Sequence, residues 1–434
     1  MPERPSKRGK VFRDPVHDVI NWKDDAQDGV LISALIDSAE LQRLRHIRQL
    51  GMAGFVFHGA EHSRFTHSLG VAHIARRICD RVAARISPEE RTVAVAGALL
   101  HDIGHAPFSH VMERVFDFDH EAYSAMIVRD ASSRVHKTLA DHDRALPELV
   151  ASLMTGEREH VTRGILSGQL DADRADYLLR DAYMTGVPVG LFDLERILLM
   201  IDIDDDGLLV GRGGFESVEG YVMARYHMYR LVYFHRAVRC AETMVERMFS
   251  RARHLMEEGE PGVAPPNALG ALMRGEEVSP AAYATLGDYD AWSTIAAWRD
   301  HRDPVLALMA RGLLERSLFK SNERTDAPGD AAEDHALEEE ILEALSPNER
   351  FLFHIDVAAD HPYRPYAPRL GQIEHAVRIR DHDGRVTMLE DQSSVVRALA
   401  ESSYRMRRWC YHPSIRGKLR AIAGDRWLVG TSAR

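Results

Sequence analysis

Residues 87–110 read SPEERTVAVAGALLHDIGHAPFSH, and the fold follows from how this stretch starts and stops. Ser87 with Glu90 three residues on, and Pro88 in the first turn, has the form of a capping box, so a helix opens there. The apolar run VAVAGALL carries it to His101, and Gly104 and Pro107 end it. Neighbouring residues on a helix point about 100° apart, so His101 and Asp102 converge on one point only at a helix end. Imidazole and carboxylate at such an end suit a metal centre built from facing helices.

Working outward, Leu69, Ala72, Ile74, Ala75, Ile78 and Val82 recur at helical spacing and predict a helix over Phe65 to Ile86. Leu41, Leu44, Ile47 and Leu50 predict another from Ala39, closed by Gly51. KVFRDPVHDVINW, residues 10–22, predicts a short hairpin turned at Pro15. On the other side, Phe108 to Phe116, His120 to Asp130 and Asp171 to Tyr183 read as helices, the last with Asp171 as its cap. IDIDDDGLLVG carries an Asp-Gly hairpin signal. Tyr221 to Glu258 predicts the longest uninterrupted helix, stopped by EEGEPGVAPP, and a second helical stretch runs to Lys320.

The expected class is mainly α, with short β-hairpins and a smaller mixed α/β C-terminal region. The boundaries read as a core over residues 1–258 including the long helix, a helical extension over 259–320, a mobile acidic connector over 321–336 and a small mixed region over 337–434. SNERTDAPGDAAEDH gives the connector its polar, proline-containing character. RFLFHIDV, and HAVRIRD with RVTMLED around His382, Asp383 and Gly384, give the mixed region its strands. No internal repeat is present.

At 434 residues, 45% hydrophobic and 28% charged, the composition is that of an ordinary globular protein with ample apolar area to bury. No apolar run reaches bilayer length, and MPERPSKRGK is not followed by a secretory apolar segment, so a cytoplasmic, non-membrane protein is expected. Cys79, Cys240 and Cys410 lie far apart and show neither disulfide nor thiolate-zinc spacing, which makes them packing residues. A net charge of −11 disfavours wholesale nucleic-acid binding. Arg405, Arg407, Arg408, Arg416, Lys418 and Arg420 still form a basic stretch that would act locally, with weak single-stranded nucleic acid as its partner.

His67, His101, Asp102 and Asp173 offer two imidazoles and two carboxylates for one divalent ion. That donor set suits Mn, Fe, Mg, Zn, Ni or Co alike. His105, His110 and His120 follow closely and are groups that titrate near neutral pH. His110 and Glu113 are one helical turn apart, so the carboxylate orients the imidazole. Arg64, three residues before His67, would offer a guanidinium fork to phosphate oxygens. There is no GxxxxGK[ST] loop and no evident Ser or Cys nucleophile motif.

The motifs LQRLRHIRQLG, HSRFTHSLGVAH, HDIGHAPFSH, DADRADYLLRD and ARYHMYRLVYFHRAV resemble the dNTP triphosphohydrolase, dGTPase-like branch of the HD-domain metal phosphohydrolases. The resemblance spans roughly Lys10 to Lys320. It implies a helical HD-domain core, with His67, His101, Asp102 and Asp173 matching the metal ligands. It implies that His110 and Glu113 serve as an acid/base pair, that His120 also takes part in catalysis, and that Arg64 contacts phosphate, while His105 stays a catalytic candidate by its closeness to the metal pair. Gln49 and Asp181 would contact the sugar 3′-hydroxyl, Tyr177 and Tyr233 would wall the pocket, and Arg225 and His235 would approach the phosphates.

The activity so implied is hydrolysis of dNTPs to deoxynucleoside and inorganic triphosphate, a metal-activated water attacking the α-phosphorus. The alternatives are an HD phosphohydrolase acting on a monophosphate or signalling nucleotide, and a nucleotide-sensing or nucleic-acid-binding regulator with weak turnover. Homo-oligomers, dimers or tetramers, and a dNTP activator are expected from the same resemblance.

Overall fold

The computed structural model describes residues 9–23, 28–157, 162–324, 331–360, 363, 377–401 and 404–427. It is mainly helical, and the strands among the described residues form three small sheets.

The helix Pro88–Leu100 lies at the centre, with every residue from Thr92 to Leu100 buried. Its capping box forms as the sequence predicts, Glu90 N donating to Ser87 Oγ at 3.2 Å and Ser87 N to Glu90 Oε2 at 2.5 Å. A helix that is apolar on all sides needs neighbours all round. Arg64–Arg81 packs on one side through Val71, Ala72, Ile74, Ala75 and Ile78, and Leu146–Thr155 packs on another. Leu99 and Leu100 are fully buried, and truncating either to alanine would cost roughly 2–5 kcal/mol. Ala172–Thr185 then packs across Arg64–Arg81. The crossing depends on Gly70, where a Cβ would overlap the Asp176 carboxylate and the Arg180 guanidinium.

The helix predicted from Ala39 is cut short. Ala39–Arg43 is α-helical, Leu44–His46 is a single 3-10 turn, and the chain then extends. Arg48 bridges to Ser63, Gln49 N donates to His62 O at 3.0 Å, and Arg64 N donates to Ile47 O at 2.9 Å. This pairing holds Gln49 and Arg64 close together. The long helix is also interrupted. Phe215–Met228 runs into a π-helical turn at Tyr229–Tyr233, and the helix Arg236–Glu257 starts afresh after it. Single π turns inside helices are frequent at functional sites because they re-aim the side chains they carry.

The hairpin Lys10–Asp14 and Asp18–Trp22 forms antiparallel, as does Ile201–Asp204 with Gly207–Gly211. Arg378–Arg380 joins the second hairpin in parallel and pairs antiparallel with Val386–Met388, while Arg378 and Arg380 form ion pairs with Asp204 and Asp202 at 2.6 and 2.5 Å. In the third sheet Tyr404–Tyr411 is flanked by Lys320–Arg324 and Phe353–Asp360. The segment expected to be a mobile connector is therefore ordered at both ends, as a strand through Arg324 and as the helix Ala331–Ala344, with 325–330 outside the described residues. The C-terminal region is stitched to the core through two sheets and closes with the helix Arg416–Ala423.

Long-range contacts bear on two further expectations. Cys240 and Cys410, distant in sequence, bring their sulfurs to 3.7 Å as buried free thiols. Much of the basic C-terminal stretch is neutralised internally: Arg407 pairs with Glu338, Arg408 donates to Phe234 O at 2.8 Å and to Glu323 at 3.3 Å, and Lys418 pairs with Glu349 at 2.6 Å. Among the described residues no helix is long and apolar enough to cross a membrane.

Candidate metal centre and substrate cavity

Three helices meet where the central helix ends. His67 comes from the first turn of Arg64–Arg81, His101 is the residue that terminates Pro88–Leu100 with Asp102 following it, and Asp173 lies in the first turn of Ala172–Thr185. His67 Nε2 is 2.9 Å from Asp173 Oδ1 and 3.8 Å from Asp102 Oδ2. His101 Nε2 is 3.2 Å from Asp102 Oδ1 and 3.6 Å from Asp173 Oδ1. Ligands at roughly 2.0–2.2 Å from one ion sit about 3–3.5 Å from one another, so the donor spacing fits a shared cation.

The two Nε2 atoms supply the sharper test. Both are buried and neither makes a hydrogen bond. Buried polar atoms without a partner are rare, and two that converge on a pair of carboxylates are suited to a cation. The opposite ring nitrogens are engaged: His67 Nδ1 donates to Asp176 Oδ2 at 2.8 Å and His101 Nδ1 to Ala98 O at 2.9 Å. Those bonds fix the tautomer and leave each Nε2 lone pair to ligate. The donor set and its surroundings fit a divalent ion.

Without a cation the same geometry shifts the ionisation of these groups. Burial opposes charge on His67, but the carboxylates of Asp173 and Asp176 beside its two ring nitrogens outweigh it and raise the imidazole to about 10. Burial likewise works against the Asp102 carboxylate, while Arg64, His101 and His105 hold it well below the usual carboxylate range.

Behind His67 lies a buried brace that the sequence reading missed. Asp176 also accepts from His17 Nε2 at 2.6 Å and from Arg180 Nε and Nη2 at 2.8 and 2.9 Å, and Arg180 reaches Asp14 at 2.8 Å. The N-terminal hairpin is thereby wired to the candidate metal centre. The available signal was the spacing in DADRAD, which puts Asp176 one helical turn beyond Asp173.

Beside the centre, three histidines surround one carboxylate. Glu113 is contacted by Nδ1 of His105, His110 and His120 at 2.8, 3.0 and 3.1 Å. His105 stacks on His120 with ring centroids 3.8 Å apart, and its Nε2 lies 3.2 Å from Asp102 Oδ1. The cluster thus touches the candidate metal ligand Asp102 through His105. Burial, together with the positive Arg64 and His120, pushes His105 down to about 3, so it is neutral at physiological pH. Burial opposes the Glu113 charge as well, but the three imidazoles hold its carboxyl far below the usual range. His105 is 1% exposed and His110 60%, so His110 is the ring open to a substrate. It is presented by Phe108 and Ser109, both at positive φ, 59° and 56°. That backbone is held by Phe108 N donating to Asp288 at 2.8 Å and Ser109 Oγ donating to Arg48 O at 2.9 Å.

Two adjoining cavities meet here. One, of about 210 Å³, is lined by His101, Asp102, His105, His110, His120, Asp173, Arg64, Gln49 and Tyr177. The other, of about 320 Å³, shares Gln49, Arg64, His110 and Tyr177 and adds Asp181 and Tyr233. Arg64 donates to Asp102 Oδ2 at 2.6 Å and to Ser109 Oγ at 2.8 Å, which fixes it between them. Asp181 accepts from Tyr233 OH at 2.8 Å and lies 2.8 Å from His62 Nε2, a partner the sequence reading did not name. Tyr233 is the last residue of the π-helical turn.

Arg225 and His235 line neither cavity. Arg225 is buried against the Tyr229 ring, and His235 caps the helix Arg236–Glu257 by accepting from Ala237 N. Asp171 caps its helix as expected, accepting from Arg174 N at 2.7 Å.

Comparison with known proteins matches residues 64–181 to the HD domain and residues 192–261 to the HD associated region. An uncharacterized protein of Bacillus subtilis, YwfO, is 34% identical over 431 residues, covering 96% of this chain and 97% of that protein. A deoxynucleoside triphosphate triphosphohydrolase SAMHD1 homolog of Dictyostelium discoideum is 29% identical over 271 residues, 58% of this chain and 51% of that one. The crystal structure of a phosphohydrolase from Bacteroides thetaiotaomicron superposes with a TM-score of 0.74 at 26% identity, over 93% of this chain and 100% of that one.

Proposed function

The chain belongs to the HD-domain family, and from that premise we propose that it hydrolyses deoxynucleoside triphosphates to deoxynucleoside and inorganic triphosphate. One observation carries the reading: His101, Asp102 and Asp173 of the donor set line a cavity that shares Gln49, Arg64, His110 and Tyr177 with the one holding the Tyr233–Asp181 pair, and His67 stands behind them against Asp173. Phosphates at the first end and a sugar at the second would fill both. The SAMHD1 homologs supply the same substrate class by resemblance.

A divalent ion held by those four residues would supply Lewis acidity and charge neutralisation at a phosphate oxygen. Arg64, locked by Asp102 and Ser109, adds a fixed positive charge beside the phosphates. In the reaction water forms a bond to the α-phosphorus and gives up a proton to solvent, the bond to the sugar O5′ breaks, and O5′ takes a proton. His110 is the ring placed to give that proton, because Glu113 engages its Nδ1 and leaves Nε2 for the substrate. His105 and His120 tie Glu113 to the metal ligand Asp102. Gln49 and Asp181 hold the sugar, with Tyr177 and Tyr233 as its walls, and the close fit excludes a 2′-hydroxyl by overlap.

The test is incubation with each dNTP and a divalent metal. Release of inorganic triphosphate supports the reading, whereas release of single phosphates alone would transfer it to a different HD phosphohydrolase activity. Homo-oligomerisation and a dNTP activator belong to the same proposal. Gel filtration with and without dGTP tests both, and an unchanged elution volume counts against ligand-driven assembly.

A further inference from the structure

A buried residue that lines neither cavity ties the proposed sugar contacts together. His62 Nε2 lies 2.8 Å from Asp181 Oδ1, and because a carboxylate only accepts, the imidazole donates. The backbone carbonyl of the same His62 accepts from Gln49 N at 3.0 Å. Gln49 Oε1 is itself buried without a hydrogen bond. Tyr233 OH donates to the other Asp181 oxygen at 2.8 Å, so the carboxylate is held at both oxygens with acceptor positions to spare. The chain at Ser63 is extended, φ −96° and ψ 158°, which sends the side chains of His62 and Arg64 to the same side. Arg64 donates to Asp102 Oδ2 at 2.6 Å while His62 engages Asp181. Three consecutive residues therefore set how far the sugar end stands from the metal end.

We infer that His62 is a positioning residue: it aims the Asp181 carboxylate at the sugar hydroxyl while its own ring touches no substrate. The inference rests on the dNTP hydrolase reading above and adds to it a residue that acts through Asp181 and Gln49. The 3′-hydroxyl is the one hydroxyl on the sugar of a dNTP, and a group that only accepts reads it by its proton. An analogue without that hydroxyl leaves the buried carboxylate unpaired and is rejected for that reason. Rejection is sharp only while the carboxylate keeps its place. A carboxylate released from His62 turns to other partners and loses its preference for a substrate that brings the hydroxyl.

The experiment is a competition, with a divalent metal, between the dNTP turned over fastest and its 2′,3′-dideoxy counterpart at equal concentrations. Chromatography separates the released nucleosides, and their ratio reports relative kcat/KM even if the dNTP also activates. In the wild-type chain the deoxynucleoside should lead by about tenfold or more, the worth of a hydrogen bond to a charged group. In His62→Ala, and in His62→Leu, which refills the volume without a donor, the lead should shrink to about twofold or less. A merely structural loss would slow both releases alike and keep the lead. His62→Gln, whose amide can donate to the same oxygen, should retain most of it. A lead undiminished in His62→Ala or His62→Leu, a His62→Gln no better than these, or failure of both apolar variants to fold overturns the assignment. A wild-type chain with no lead also overturns it and leaves the hydrolase reading standing. No release from any dNTP overturns the hydrolase reading and this inference with it.

Discussion

His67 donates from Nδ1 to Asp176 Oδ2 at 2.8 Å, while its Nε2, buried and without a hydrogen bond, lies 2.9 Å from Asp173. One side chain thus joins the ion-binding point to the Asp176, His17 and Arg180 brace behind it. Replacing Asp176 by asparagine should lower metal affinity about 10–100-fold, because such outer partners set ligand orientation and basicity. It should also destabilise the fold by about 3–5 kcal/mol, since Arg180 would lose a buried charge partner. Calorimetric metal titration beside urea melts separates the two effects, and an unchanged affinity would disconnect the brace from the metal centre.

Tyr233→Phe removes the hydroxyl that donates to Asp181 at 2.8 Å. The loss of a hydrogen bond worth about 1 kcal/mol predicts a fall of roughly fivefold in kcat/KM for dNTPs. Steady-state kinetics should show it mainly as a raised KM. Unaltered kinetics would place Tyr233 outside the sugar pocket.

Gly104 lies against the segment that carries His120, where an added Cβ would overlap His120 O and Ser124 N. Gly104 N also donates to Ser124 Oγ at 2.8 Å. Gly104→Ala should therefore cost about 1–3 kcal/mol and displace His120 from Glu113. Thermal melts and activity should fall together, and a variant as stable and active as the parent would contradict this packing.

His73 yields a pH dependence. Burial, with positive charge from His17, Arg76 and Arg77, pushes its imidazole from 6.5 down to about 3. Between these values the unfolded chain binds the proton and the folded chain does not, so stability falls as pH drops below about 6.5. Urea melts at about pH 7.5 and about pH 5.5 should show the wild-type chain losing about 1.4 kcal/mol more than His73→Gln. Parallel losses in both chains would show that His73 is not held neutral.

How much of this could be read from the chain depended on the range of the interaction. The central helix announced itself through Ser87, Glu90 and Pro88, local signals that the structure reproduces bond by bond. The end of the helix begun at Ala39 did not, because Leu41, Leu44 and Ile47 are buried whether the chain coils or extends, and its pairing partner is Ser63. The π-helical turn at Tyr229–Tyr233 carries no glycine or proline to mark it. The strand pairing of Lys320–Arg324 with Tyr404–Tyr411, and the contacts of His17 and His62 with the acids of Ala172–Thr185, join distant stretches that no local periodicity connects. Of the residues named for the site, most line one or both cavities, His67 and Glu113 stand behind them in contact with Asp173 and His110, and Arg225 and His235 line neither.

The central claim is that His67, His101, Asp102 and Asp173 share one divalent cation, and elemental mass spectrometry of purified protein tests it most directly. The wild-type chain should carry about one divalent ion per molecule, and Asp102→Ala should carry less than about a tenth of that while keeping its helical circular dichroism. Full occupancy in Asp102→Ala, or a wild-type chain that turns over substrate after its metal has been stripped, would contradict the account.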